Sequence, residues 1–207
     1  LSFGAQTFEP HLLKEIGRSH GVKEIAASVE EARRAGFSNI SLDLMFGLPN
    51  QTVAQMKETL HRAVSLQPEH FSCYSLKVEE GTLFYHLEEI GQLPLPSEED
   101  EFAMYQLIRN YLCQEGYDQY EISNFAKIGR ESKHNSTYWR NKPYYGFGAG
   151  AHGYVHSIRH ANIKGIKDYI AKINQVQRPI LQQEKIGIRE QMENYFILGL
   201  RLLEGVV

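Results

Sequence analysis

Apolar and polar positions alternate in blocks through the first third of the chain. Residues 1–7 form a short apolar stretch of strand character. Ile25, Val29 and Ala32 then recur at the spacing of one helix face and stop at Gly36, a residue suited to ending helices. Residues 40–46 are a second apolar run. Val53, Met56, Leu60 and Val64 build the next helix face, closed by Pro68, and residues 71–78 read as a third strand. Strand, helix, strand, helix, strand in this order predicts parallel strands joined by helical crossovers. Three strands cannot close a barrel, so the pattern leads us to expect further units upstream. In such folds function gathers at the C-terminal strand ends, where Gln6 and Glu79 fall and Asp43 lies nearby.

Beyond Glu80 the rhythm changes. A short helix is expected around residues 83–91, before Pro94-Leu-Pro96. Ser97-Glu-Glu-Asp100 has the form of a capping box, with acidic side chains suited to the positive end of a helix. Phe102, Tyr105, Ile108 and Leu112 continue that helix to Gly116, and residues 120–125 predict one strand. Residues 144–156 are rich in Gly and Tyr, as expected of a strand or loop whose backbone approaches a ligand. Ile166, Tyr169, Ile170 and Ile173 predict an amphipathic helix with Lys164, Lys167 and Lys172 on its solvated side, and residues 189–203 a last helix. The fold class is α/β. Residues 1–80 are expected to form a partial barrel of βαβαβ order, and residues 81–207 an α+β region packed on it.

Composition narrows the function classes. With 207 residues, 42% hydrophobic and 23% charged, the chain can bury a sizeable core. No apolar run approaches the ~20 residues that cross a bilayer, and no signal-peptide pattern is present. A net charge of −3 gives no electrostatic reason to expect nucleic acid as a partner. The two cysteines, Cys73 and Cys113, are expected to be buried, reduced thiols, in keeping with a cytoplasmic protein.

One acidic residue, Asp43, interrupts the apolar run at 40–46. A buried carboxylate costs several kcal/mol unless it is paired. Either a neighbouring cation or backbone amides satisfy it, or it faces a polar cleft and binds a ligand. Gln6 and Tyr74 fall on the flanking strands. A carboxylate that accepts from ribose hydroxyls, a carboxamide and an aromatic wall would suit a nucleoside, although Tyr74 could equally be a packing residue. Arg18 has the fork that grips carboxylates, whereas Lys77 could be no more than an exposed strand end. In the second half, His134-Asn135-x-x-Tyr138-Trp139 combines an imidazole, a polar group and two large rings. An iron porphyrin needs such partners, but so does a capping or network histidine beside a buried Trp.

These blocks together resemble one family. Ser41-Leu-Asp-Leu-Met-Phe-Gly-Leu-Pro-Asn-Gln-Thr52 is similar to a segment of the radical S-adenosylmethionine proteins that comprise the oxygen-independent coproporphyrinogen III oxidases and the haem chaperones. The resemblance extends through Leu1-Ser-Phe-Gly-Ala-Gln6, Leu13-Lys-Glu-Ile-Gly-Arg18, Tyr120-Glu-Ile-Ser-Asn-Phe125, His134-Asn-Ser-Thr-Tyr-Trp139 and Gly146-Phe-Gly-Ala-Gly-Ala-His152. It implies the later βα units of a radical S-adenosylmethionine barrel. It also implies that Gln6, Arg18 and Asp43 contact S-adenosylmethionine, with Tyr74, Lys77 and His152 at further contact positions where the residue type differs. His134, Asn135, Tyr138 and Trp139 look like the mark of the haem-chaperone branch, with His134 as the haem-iron ligand and a haem-acceptor protein as partner. The alternative is oxidative decarboxylation of coproporphyrinogen III. The family's [4Fe–4S] cluster is held by Cys-x3-Cys-x2-Cys, which this chain lacks. The chain is therefore expected to be a fragment, inactive alone, whose cluster ligands lie upstream.

Overall fold

The computed structural model describes residues 1–206 and divides into two compact units, residues 1–131 and 132–207. The first runs β1 (Ser2–Gln6), α1 (Pro10–Glu15), α2 (Val22–Arg34), β2 (Ser41–Phe46), α3 (Val53–Ser65), β3 (His70–Ser75), α4 (Leu83–Glu89), α5 (Glu98–Gln114), β4 (Asp118–Glu121) and β5 (Asn124–Ala126). Its sheet has the order β1-β2-β3-β5-β4. β1, β2 and β3 are parallel, as the alternation predicts, and β5 then adds antiparallel to β3.

This last pairing moves the expected boundary. Residues 81–131 do not leave the first sheet. α5 buries Met104, Ile108 and Leu112 in the same core as Leu42, Leu44, Met56 and Leu60, so the unit closes at 131 instead of 80. The single strand expected at 120–125 is a hairpin. The Glu121 carboxylate accepts the Ser123 amide at 2.9 Å, and Tyr105 and Gln119 both donate to the Ile122 carbonyl at 3.0 Å, fixing the turn. α1 is an element the apolar pattern does not predict; Pro10 presets its first turn, and Leu12 and Leu13 are buried beneath it.

Three contacts explain how the helices hold their strands. Thr52 and Gln55 form a reciprocal cap that starts α3 directly after β2. Arg33, near the end of α2, reaches both carboxylate oxygens of Glu69 at 2.9 Å and the Gln67 carbonyl at 2.9 Å, tying that helix to the start of β3. Tyr117 donates to the Pro68 carbonyl at 2.8 Å and packs edge-on against Phe71.

The sheet has two chemically different faces. Along β2, Leu42, Leu44 and Phe46 point into the helix layer, whereas Ser41, Asp43 and Met45 lie on the opposite side. The parallel register carries this across to β3, where His70, Ser72 and Tyr74 sit opposite Ser41, Asp43 and Met45. Ser2 of β1 stands opposite Ser41. Cys73 is buried among the apolar residues, as expected. Cys113 is exposed, contrary to expectation, because the buried stripe of α5 runs through Met104, Ile108 and Leu112 and leaves the next position facing out.

The second unit contains α6 (Lys133–Trp139), β6 (His152–Val155), β7 (Ile158–Asn162), α7 (Ile166–Asn174), β8 (Ile180–Lys185) and α8 (Ile188–Gly199). β6, β7 and β8 form an antiparallel sheet in that order. The approach expected of the Gly-rich segment is made to the chain itself. A Cβ on Gly146 would lie 2.2 Å from the His152 carbonyl oxygen, so only glycine fits against β6. Asn162 donates to the Gly146 and Gly148 carbonyls at 3.2 and 3.0 Å, and the Gly148 amide donates to Tyr169 at 3.1 Å. The apolar residues of α7 (Ile166, Ile170 and Ile173) are exposed instead of packed. Among the described residues no helix is long and apolar enough to cross a membrane.

Candidate functional site

On the polar face of the first unit, Asp43 meets a hydroxyl and no helix-layer cation. Ser2 Oγ donates to Asp43 Oδ1 at 2.9 Å across the β1–β2 pair. Gln6 ends β1 in a left-handed conformation (φ 65°) where the register shifts, so the strand bulges there. Its carboxamide folds back over Gly4, where a Cβ would lie 2.6 Å from Gln6 Nε2. Tyr74, near the C-terminal end of β3, is 42% exposed and shares this face. Gln6, Asp43 and Tyr74 thus stand on three consecutive parallel strands. A carboxylate, a carboxamide and an aromatic ring gathered on one face can hold a ribose and a flat base.

The remaining sequence candidates are not on these three strands. Arg18 is exposed in the turn after α1, and its amide donates to the Leu13 carbonyl at 2.9 Å. Lys77 lies beyond β3 and pairs with Glu79 at 3.0 Å, both well exposed, a contact that contributes little to stability. His152 begins β6 in the second unit and is exposed.

The Gly-Leu-Pro-Asn-Gln-Thr part of the motif builds the turn that follows β2. The Gln51 carboxamide accepts the Leu48 amide at 3.1 Å and donates to the Met45 carbonyl at 3.4 Å. Ser75 donates to the Glu101 carboxylate, linking the end of β3 to the first turn of α5. Sequence reasoning missed His70. Its Nδ1 lies 2.8 Å from Ser41 Oγ and its Nε2 lies 2.8 Å from the Tyr120 hydroxyl. Burial lowers its pKa to about 4, against an opposing pull from Glu131. A signal was present, because His70, Ser72 and Tyr74 alternate along one strand.

In the second unit, α6 carries the imidazole motif. Ser132 caps it by accepting the Asn135 amide at 3.2 Å. His134 and Tyr138 lie one turn apart with Nε2 and the hydroxyl at 3.0 Å, and Tyr138 meets Tyr144 edge-on at 4.5 Å. Burial first, then the Tyr138 hydroxyl, raises the pKa of Tyr144, with Arg159 opposing. Asn135 and Trp139 lie on the adjacent helix face. The Arg201 guanidinium stands 4.3 Å from the Trp139 ring centroid, and the buried indole Nε1 has no hydrogen-bond partner among the described residues.

Trp139 divides two clefts. One, of about 380 Å³, is lined by Trp139, Arg140, Lys142, Tyr195, Leu202 and Glu204. The other, of about 310 Å³, is lined by Tyr138, Trp139, Tyr144, Tyr154, Arg159 and Leu198. Flat apolar walls edged with cations suit a planar ligand that bears carboxylates. No group of three or more His, Cys, Asp or Glu among the described residues could hold a metal ion. The only cysteines are Cys73 on β3 and Cys113 on α5, so the chain does not supply a thiolate trio for a [4Fe–4S] cluster.

Comparison with known proteins agrees with this architecture. The Radical SAM superfamily model matches residues 1–63. A protein described as heme chaperone HemW from Bacillus subtilis is 50% identical over the whole of this chain, which covers 54% of it. The same description attaches to a Lactococcus lactis protein, 41% identical over the whole chain and covered to 54%. The chain therefore spans about half the length of the curated relatives it matches. Among solved structures, coproporphyrinogen III oxidase from Escherichia coli, described as a radical SAM enzyme, superposes with a TM-score of 0.80 at 22% identity. That likeness covers 98% of this chain and 49% of the oxidase, and it shows a shared fold. Residues 1–63 thus match the radical S-adenosylmethionine superfamily, and with its motifs in order and this identity along its whole length the chain is similar to the proteins of that superfamily described as haem chaperones.

Proposed function

We propose that the complete protein is a cytoplasmic haem chaperone that binds haem and passes it to an acceptor protein. The observation that carries this reading is the arrangement of α6, where Tyr138 and Trp139 line two aromatic clefts and His134, outside both linings, meets the Tyr138 hydroxyl at 3.0 Å. The 50% identity to a protein described as a haem chaperone supports it. In this proposal His134 ligates the haem iron, Asn135 orients the ligand, Tyr138 and Trp139 offer ring surface, and Lys142, with Arg140 once it exchanges its Glu204 partner, meets the propionates. The rival reading, oxidation of coproporphyrinogen III, leans on a likeness of fold, which does not assign chemistry.

S-adenosylmethionine fits the polar face of the first unit. Asp43 would accept from the ribose hydroxyls, Gln6 would hydrogen-bond the polar edge, Tyr74 would face the adenine, and Arg18 would meet the carboxylate. When bound beside a [4Fe–4S] cluster, this cofactor supplies radical chemistry. The residues present do not fit the cluster, because Cys73 and Cys113 cannot supply its three closely spaced thiolates. Lys77, already paired with Glu79, and His152, on the second unit's sheet, receive no role in the proposal.

The deciding experiment gives the complete protein haem and, separately, coproporphyrinogen III. Stoichiometric haem binding with transfer to apomyoglobin, and no decarboxylation, is the expected outcome. Decarboxylation of coproporphyrinogen without haem binding would overturn the proposal.

A further inference from the structure

Asp43 has two carboxylate oxygens and a soft terminal torsion, so nothing in the residue itself decides which oxygen faces a ligand. The neighbouring strand settles this. Ser2 Oγ donates to Oδ1 at 2.9 Å, which leaves Oδ2 as the oxygen without that bond. The same strand then leaves out a side chain at Gly4, and the space is filled by the returning carboxamide of Gln6. Along five residues β1 therefore presents a hydroxyl, a gap and a carboxamide beside the carboxylate of β2. Neither Ser2 nor Gly4 is needed for the apolar core, which β1 reaches through Ala5 and, at its margin, Phe3.

We infer that Ser2 is a positioning residue: its hydroxyl fixes the Asp43 carboxylate so that Oδ2 is presented to the ribose diol of S-adenosylmethionine. The inference rests on the proposed nucleoside site. It adds a residue outside the set that would touch the ligand. A hydrogen bond from a fixed hydroxyl to a carboxylate lowers the cost of ordering that carboxylate before the ligand arrives. Losing it should weaken binding about tenfold, the scale of one hydrogen bond to a charged group. A purely structural Ser2 would instead hold β1 on β2, and its loss would appear in stability alone.

The test uses the complete, cluster-loaded protein and S-adenosylhomocysteine as the probe, with calorimetric Kd and the thermal midpoint measured for each variant. Ser2→Ala should raise Kd about tenfold, and Ser2→Thr, which keeps the hydroxyl, should restore it to within about twofold. Asp43→Asn should weaken binding by itself, and adding Ser2→Ala to it should cost little more, because the two residues act through one contact. If Asp43→Asn weakens binding while Ser2→Ala leaves Kd unchanged or acts additively, the positioning role is overturned and the nucleoside site stands. If Asp43→Asn leaves Kd unchanged, the nucleoside site fails and the inference falls with it.

Discussion

Tyr138 and His134 share a hydrogen bond of 3.0 Å one helical turn apart, and the nitrogen engaged is Nε2. An iron that approaches this nitrogen must displace the phenol. Tyr138 is thus both a ring in the cleft wall and a competitor for the imidazole.

This competition gives a prediction about haem affinity. In the complete protein, His134→Ala should shift the Soret band and weaken haem binding by more than about tenfold, since a metal–ligand bond is worth more than one neutral hydrogen bond. Tyr138→Phe keeps the ring and releases Nε2, so it should strengthen binding by up to about fivefold, the worth of one neutral hydrogen bond. Haem titration followed by absorbance measures both. A His134→Ala protein with unchanged spectrum and affinity returns the histidine to a structural role.

Asp43 and Leu44 are neighbours on β2 and face opposite ways, so their variants should separate binding from folding. Leu44→Ala removes a fully buried side chain from the main core and should cost about 2–5 kcal/mol in denaturant unfolding. The affinity of the molecules that remain folded should not change. Asp43→Asn should do the reverse, with the thermal midpoint held within a few degrees and S-adenosylmethionine binding weakened. A large stability loss from Asp43→Asn would place the carboxylate in the fold instead of the site.

The sequence made the first three strands legible as short apolar runs set between helical stripes, and the structure adds their register. Leu42, Leu44 and Phe46 against Ser41, Asp43 and Met45 state which face is core. The sequence also set Gln6, Asp43 and Tyr74 on consecutive strands, an order the sheet reproduces. It hid β8, whose Ile-Leu-Gln-Gln-Glu-Lys composition carries no apolar period. It also hid the domain boundary, because no residue near 131 announces that β5 folds back onto β3. Long-range antiparallel pairing leaves little local trace. His70 escapes a local reading for a related reason: its partners Ser41 and Tyr120 are 29 and 50 residues away.

The loop that carries Tyr144 should be sensitive to a single methyl group. Gly146→Ala would set a carbon 2.2 Å from the His152 carbonyl oxygen, a backbone atom that cannot swing aside. The Tyr144–Tyr154 bridge would have to open, at a cost of about 1–3 kcal/mol. Gly187→Ala is the control, since nothing lies within 4 Å of the place its methyl group would take. Hydrogen exchange at the Tyr144 and Tyr154 amides should rise in the first variant and not in the second. Equal protection in both would mean that the loop absorbs the clash by another route.

His70 makes stability depend on pH over a defined window. Its pKa is about 4 in the folded protein against 6.5 for the free side chain, chiefly because it is only 5% exposed. As pH falls below 6.5 the unfolded chain takes up a proton that the folded chain refuses, so stability drops until pH 4. At about 1.4 kcal/mol per unit, the loss across that window is about 3 kcal/mol. Above 6.5 both forms are neutral and the contribution is constant. His70→Gln removes the titration, so the variant should lose some stability at about pH 7.5 and much less of it between about pH 6.5 and about pH 4.5 than the parent. Denaturant melts of the complete protein at those three pH values provide the comparison. Parallel pH curves for the two proteins would show that His70 is not the group that responds.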